Sequence, residues 1–80
     1  MSVQLTIYTR DGCHLCEDML LELQQRKSKR PFSLNIIEIN GLPELESLYG
    51  TKVPVLVHEG REICHFFLDE VAFNQCFEVG

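Results

Sequence analysis

The 80-residue chain has no tryptophan, only three prolines and two methionines, and no run of 18 apolar residues. The missing apolar run excludes a membrane-spanning helix, so no membrane partner is expected. Positive charge is also scarce. Seven Lys and Arg stand against 12 Asp and Glu, a net charge of −5 that opposes electrostatic capture of nucleic acid or of an anionic membrane surface. Met1-Ser2-Val3-Gln4 runs directly into a strand pattern, with neither a basic segment nor an apolar leader. A reducing, cytoplasmic setting is therefore expected rather than a secreted disulfide scaffold, although the chain has four cysteines. Internal repeats and low-complexity segments are likewise lacking.

Hydrophobic residues make up 45 % of the chain and charged residues 24 %, an ordinary globular balance. A chain this short hides about 60 % of its surface on folding, which suffices for one core. The expectation is a single domain over residues 1–80, acting as a monomer.

Val3, Leu5 and Ile7 alternate with Gln4, Thr6 and Tyr8, the period of a half-buried strand, and Asp11-Gly12 ends the run. From Leu15 the period changes. Cys16, Met19, Leu20 and Leu23 fall at i, i+3, i+4 and i+7 on one helical stripe. Glu17 and Asp18 near its start and Arg26, Lys27, Lys29 and Arg30 near its end suit the helix dipole, and Pro31 stops it.

Phe32–Ile39 predicts a second strand covered on both faces for part of its length, with Leu34 and Ile36 facing one way and Ile37 and Ile39 the other. Pro43, Leu45, Leu48 and Gly50 predict a short helix ended by a left-handed glycine. Val53–Val57 and Glu62–Phe66 predict a hairpin turning at His58-Glu59-Gly60-Arg61. Asp69 is placed to cap a last helix, with Leu68 and Phe73 as its hydrophobic staple. The order βαβαββα, with a right-handed crossover and a hairpin, predicts an α/β fold: a four-stranded mixed sheet with helices on both faces.

Cys13-His14-Leu15-Cys16 falls where the first strand becomes the first helix. Residues three apart on a helix have Cβ atoms about 5–6 Å apart, close enough for a disulfide once the first turn adjusts. Free N–H groups and the positive dipole end favour a thiolate at Cys13, while Cys16 on the apolar stripe stays protonated. Cys13 is thus the candidate nucleophile and Cys16 the resolving thiol. His14 and Arg10 are candidate modulators of the thiolate, opposed by Asp11, Glu17 and Asp18. Cys64 and Cys76 behave as small core hydrophobes, with a redox role open to Cys64 if it faces the Cys13 side.

A strand, a C-x-x-C at a helix start and a later Val53-Pro54 before a hairpin resemble the thioredoxin fold. Within that fold, the length and the segment Thr9–Cys16 resemble the small glutaredoxin-like proteins. The resemblance spans nearly the whole chain. It implies a cis peptide at Pro54 beside the active-site sulfurs and a Val53 backbone that pairs with an extended thiol substrate. It also implies glutathione as a possible co-substrate, with Arg10 and Lys52 for a carboxylate and Asp69 for the amino group. The sequence departs from glutaredoxins in having His14-Leu15 for Pro-Tyr, Lys52 for Thr before Val-Pro, and Cys64-His65 and Phe66-Phe67 where a Gly-Gly pair precedes the last helix.

The function expected is thiol–disulfide oxidoreduction at Cys13 and Cys16, on disulfide-containing proteins or glutathione mixed disulfides, with no resident cofactor or metal. Two alternatives stand beside it. One is a metal-binding or delivery module in which His14 or Cys64-His65 joins the C-x-x-C pair. The other is an interaction domain in which the dithiol is idle.

Overall fold

A computed structural model of the chain describes residues 3–78. Its elements are β1 (Val3–Thr9), α1 (His14–Lys27), β2 (Phe32–Glu38), α2 (Pro43–Tyr49), β3 (Val55–His58), β4 (Arg61–His65) and α3 (Glu70–Gln75). The strands form one sheet in the order β2-β1-β3-β4. β1 pairs with β2 in parallel and with β3 antiparallel, and β3 pairs with β4 antiparallel. The mixed βαβαββα sheet expected from the sequence is the one observed.

Alternation along β1 sends Leu5 and Ile7 to one face, where both are fully buried. Met19 and Leu23 of α1, Phe73 of α3, Leu56 and Cys64 join them in the main core cluster. Tyr8 points the other way and stacks on Tyr49 of α2, ring centroids 4.5 Å apart. Helices therefore cover both faces, α1 and α3 on one and α2 on the other. No helix among the described residues is long and apolar enough to cross a membrane.

Four local details refine or correct the expectations. β2 lies at the sheet edge, and its coverage is partial as expected: Phe32 is buried, Leu34 and Ile37 are half-buried, and Ile36 is 53 % exposed. On α2 Leu45 is half-buried and Leu48 63 % exposed, and Tyr49 stacks on Tyr8 of the sheet. Gly50 ends α2 with φ −53°, right-handed rather than left-handed. A Cβ there would fall on the Glu46 carbonyl oxygen and close to the Arg10 guanidinium, so close approach explains the glycine. Finally, α1 stops at Lys27, well before Pro31, which leaves Lys29 and Arg30 in the following turn. The residue before a proline is itself disfavoured in the helical region, so the chain leaves the helix early.

The hairpin turns through Glu59 (φ 51°) and Gly60 (φ 76°), two positive φ values in succession, as a type I′ turn requires. Ile63 is an extra residue on β4 where the register shifts between Leu56 and Val57. Asp69 caps α3 as expected, its Oδ1 accepting the Ala72 N–H at 3.1 Å. Leu68 packs against the core cluster that includes Phe73.

Candidate functional site

β1 ends at Thr9 and the chain turns through Gly12 (φ 72°) into α1. Asn40, following β2, fixes this turn by accepting the Asp11 N–H at 2.9 Å. Cys13 is the N-cap of α1, extended at φ −100° and ψ 110°, and its Sγ takes the place of the usual hydroxyl or carboxylate oxygen of a cap. The Cys16 N–H donates to Cys13 Sγ at 3.1 Å. The two cysteines form a disulfide, Cα atoms 5.2 Å apart. Cys13 is partly exposed, whereas Cys16 is 2 % exposed on the buried stripe with Met19 and Leu23. One sulfur can meet a substrate and the other is sheltered. His14 is exposed to solvent between them.

The antiparallel register sets Tyr8 against Val55, so the segment before β3 lies at the end of the sheet from which Cys13 emerges. The Val53-Pro54 peptide there is cis and Pro54 is buried. The Val53 N–H donates to the Tyr49 carbonyl at 3.1 Å, so an extended chain pairing at Val53 would use its carbonyl. On the neighbouring strand the Phe66 N–H donates to the Pro54 carbonyl at 2.9 Å, which ties the β4–α3 connection to the same end.

Both candidate cations lie beside carboxylates of this chain. Lys52 Nζ lies 2.5 Å from Glu62 Oε1, and Glu62 Oε2 lies 2.8 Å from His65 Nδ1. The Lys52 hydrogen bond, aided by His65, holds the Glu62 carboxyl below its ordinary value against an opposing contribution from burial. Arg10 turns towards α2, where its guanidinium lies 3.7 Å from Glu46 Oε1 and against Gly50, and its buried Nε has no partner among the described residues. Asp69 is engaged as the α3 cap. Glu46 and Glu62, which the sequence reading passed over, thus decide what the cations can do. Their partners lie 36 and 10 residues away along the chain, and no local pattern marks either pairing.

Cys64 faces the α1/α3 core, 8 % exposed, and burial raises its thiol pKa. Burial likewise pushes up the thiol of half-buried Cys76. At neutral pH both are protonated and chemically quiet, in keeping with their packing as small hydrophobes. Adjacent His65 belongs to the opposite face, opposed to Val55. Among the described residues no three His, Cys, Asp or Glu side chains converge as a bound metal ion requires.

A disulfide on the N-cap of the first helix and a cis-proline ahead of the third strand, on a mixed β2-β1-β3-β4 sheet, define a thioredoxin-fold protein with a dithiol centre. The chain belongs to the Glutaredoxin-like domain (DUF836) family, which it matches over residues 4–77. Among solved structures it is similar to protein Ne2328 from Nitrosomonas europaea, with a TM-score of 0.86 and 40 % identity, over 94 % of this chain and 91 % of that one. Protein XcR50 from X. campestris is similar at TM-score 0.69 and 35 % identity, over 89 % of this chain and 91 % of the other. Thioredoxin 1 of Thermosipho africanus shares the fold at TM-score 0.59 and 19 % identity, over 90 % of this chain and 89 % of that one. An uncharacterized protein of Mycobacterium tuberculosis is 29 % identical over 72 residues, 84 % of this chain and 74 % of its own length.

Proposed function

We propose that the chain is a thiol–disulfide oxidoreductase acting on disulfides of proteins or of glutathione. The observation that carries this reading is the division of labour in the bonded pair: Cys13 partly exposed at the cap, Cys16 buried one turn in. In the reduced protein the Cys13 thiolate attacks one sulfur of a substrate disulfide, forming a mixed disulfide and expelling the other sulfur as a thiolate. Cys16 then loses its proton and attacks Cys13 Sγ, expelling the second substrate sulfur. The Cys13–Cys16 disulfide remains. The dithiol loses two electrons, the substrate disulfide gains them, and the two thiol protons end on the released thiols. The Cys16 N–H and the positive end of α1 stabilise the negative charge on the attacking Cys13 thiolate.

The test is reduction of a small disulfide followed by intact-mass analysis. Cys13→Ser is expected to abolish the reaction, and Cys16→Ser to accumulate a mixed disulfide on Cys13. An undiminished rate in Cys13→Ser would overturn the assignment.

A further inference from the structure

A groove of about 330 Å³ runs from the C-x-x-C segment along α1. Leu15, between the two cysteines, begins it, and Met19, Phe66 and Phe67 continue it. Asp18 and Glu22, one turn apart on α1, supply its charge. Phe66 and Phe67 are 38 % and 69 % exposed. Phe66 also holds φ 66°, a left-handed conformation disfavoured for an aromatic residue. Its N–H is anchored on the Pro54 carbonyl, and the Phe67 N–H donates to the His65 carbonyl at 2.7 Å. The His65 ring meets Phe66 edge to face, centroids 4.8 Å apart. Two aromatic side chains are thus held at the surface by backbone bonds, that of Phe66 reaching Pro54. Such an exposed apolar pair, on a groove that reaches the residue between the two cysteines, marks a contact surface rather than a packing remnant.

The charge at this end of the sheet favours one class of occupant. Lys52 is already neutralised by Glu62 and Arg10 is turned to Glu46, while Asp18 and Glu22 remain on the groove wall. An anionic ligand such as glutathione disulfide, which carries more carboxylate than ammonium charge, would meet acidic groups there. A cationic one would be drawn in. We infer that the groove selects polypeptide disulfides in which an apolar side chain and a lysine or arginine flank the reacting cysteine, and that it discriminates against glutathione disulfide. The inference rests on the oxidoreductase reading and names its substrate class. The apolar side chain occupies the space between Leu15 and the two phenylalanines, and the cation meets Asp18 and Glu22.

The experiment is single-turnover oxidation of the fully reduced full-length protein by two peptide disulfides. The peptides carry leucine beside the bonded cysteine and differ only in a neighbouring Lys or Glu; glutathione disulfide is the third oxidant. The Lys peptide is expected to react about fivefold or more faster than the Glu peptide at low salt, the ratio falling towards one as salt is added. In Asp18→Lys/Glu22→Lys the preference is expected to reverse. Phe67→Ser is expected to slow the Lys peptide about fivefold relative to its leucine-to-serine analogue. Each readout is a ratio within one protein preparation, so partial misfolding of a variant cancels. Equal rates for the two peptides, or a faster reaction with glutathione disulfide, would overturn the inference and leave the oxidoreductase reading standing. Failure of the reduced protein to react with all three oxidants would overturn the oxidoreductase reading itself.

Discussion

Glu62 is the residue whose environment most changes the reading of the site. It neutralises Lys52, orients His65, and through His65 reaches the Phe66 ring. Its carboxyl is held below the ordinary 4.5 by the Lys52 hydrogen bond first, with His65 adding to it. A lowered carboxylate binds its proton more weakly in the folded than in the unfolded chain. Its contribution to stability is therefore complete above the ordinary value and is lost as pH falls through the lowered one. Glu62→Gln is expected to cost less than about 1 kcal/mol near neutral pH, because the pair is open to solvent. Urea-unfolding midpoints for wild type and Glu62→Gln should differ near pH 7 and converge below the Glu62 value. A gap that never closes at acid pH, while both proteins remain folded, would show that the carboxylate charge is not what stabilises.

At the scale of elements, the hairpin between β3 and β4 offers the sharpest test, because its turn needs two residues with positive φ and Glu59 is a poor choice for the first. Asparagine tolerates that conformation better than glutamate. Glu59→Asn is expected to stabilise the fold by about 0.5 kcal/mol, read as a rise in urea midpoint at unchanged slope. A fall would mean that the 3.5 Å contact of Glu59 with His58 outweighs the backbone gain. The position of this turn was legible in the sequence because Gly60 and the flanking β-rich runs are local signals. So were the Asp69 cap, the Cys13 junction and the α1 stripe, each a pattern contained within about two helical turns. The exposure of Ile36 was not legible. Its strand reads as buried by composition, and only the sheet order places β2 at the edge.

For the whole molecule, 80 residues imply a folding stability of about 4–12 kcal/mol. One large core truncation is therefore comparable with the total. Phe73 is 2 % exposed and packs edge to face on Phe32 and Phe77, at 5.7 and 5.1 Å between centroids. Phe73→Ala is expected to cost about 3–5 kcal/mol, enough to lower the thermal midpoint by more than about 12 °C. Calorimetry that found a shift of only a few degrees would mean that α3 is not integral to the core. Arg26 at the end of α1 pairs with Glu70 at the start of α3, and Arg30 lies 4.9 Å above the Phe77 ring. The basic residues around the end of α1 thus join the two helices that share the core face.

The sequence by itself determined the elements, the cysteine pair at the strand–helix junction and the capping of the last helix. Each follows from periodicity, dipole and side-chain chemistry acting between near neighbours in the chain. Tertiary structure alone decided which strand forms the edge, which carboxylates lie beside Arg10 and Lys52, and that Phe66 is tied to Pro54 to complete a groove beginning at Leu15. The physical reason is range. Ion pairs and grooves join residues far apart in sequence, and their partners are selected by strand order and register, which no short window of residues encodes.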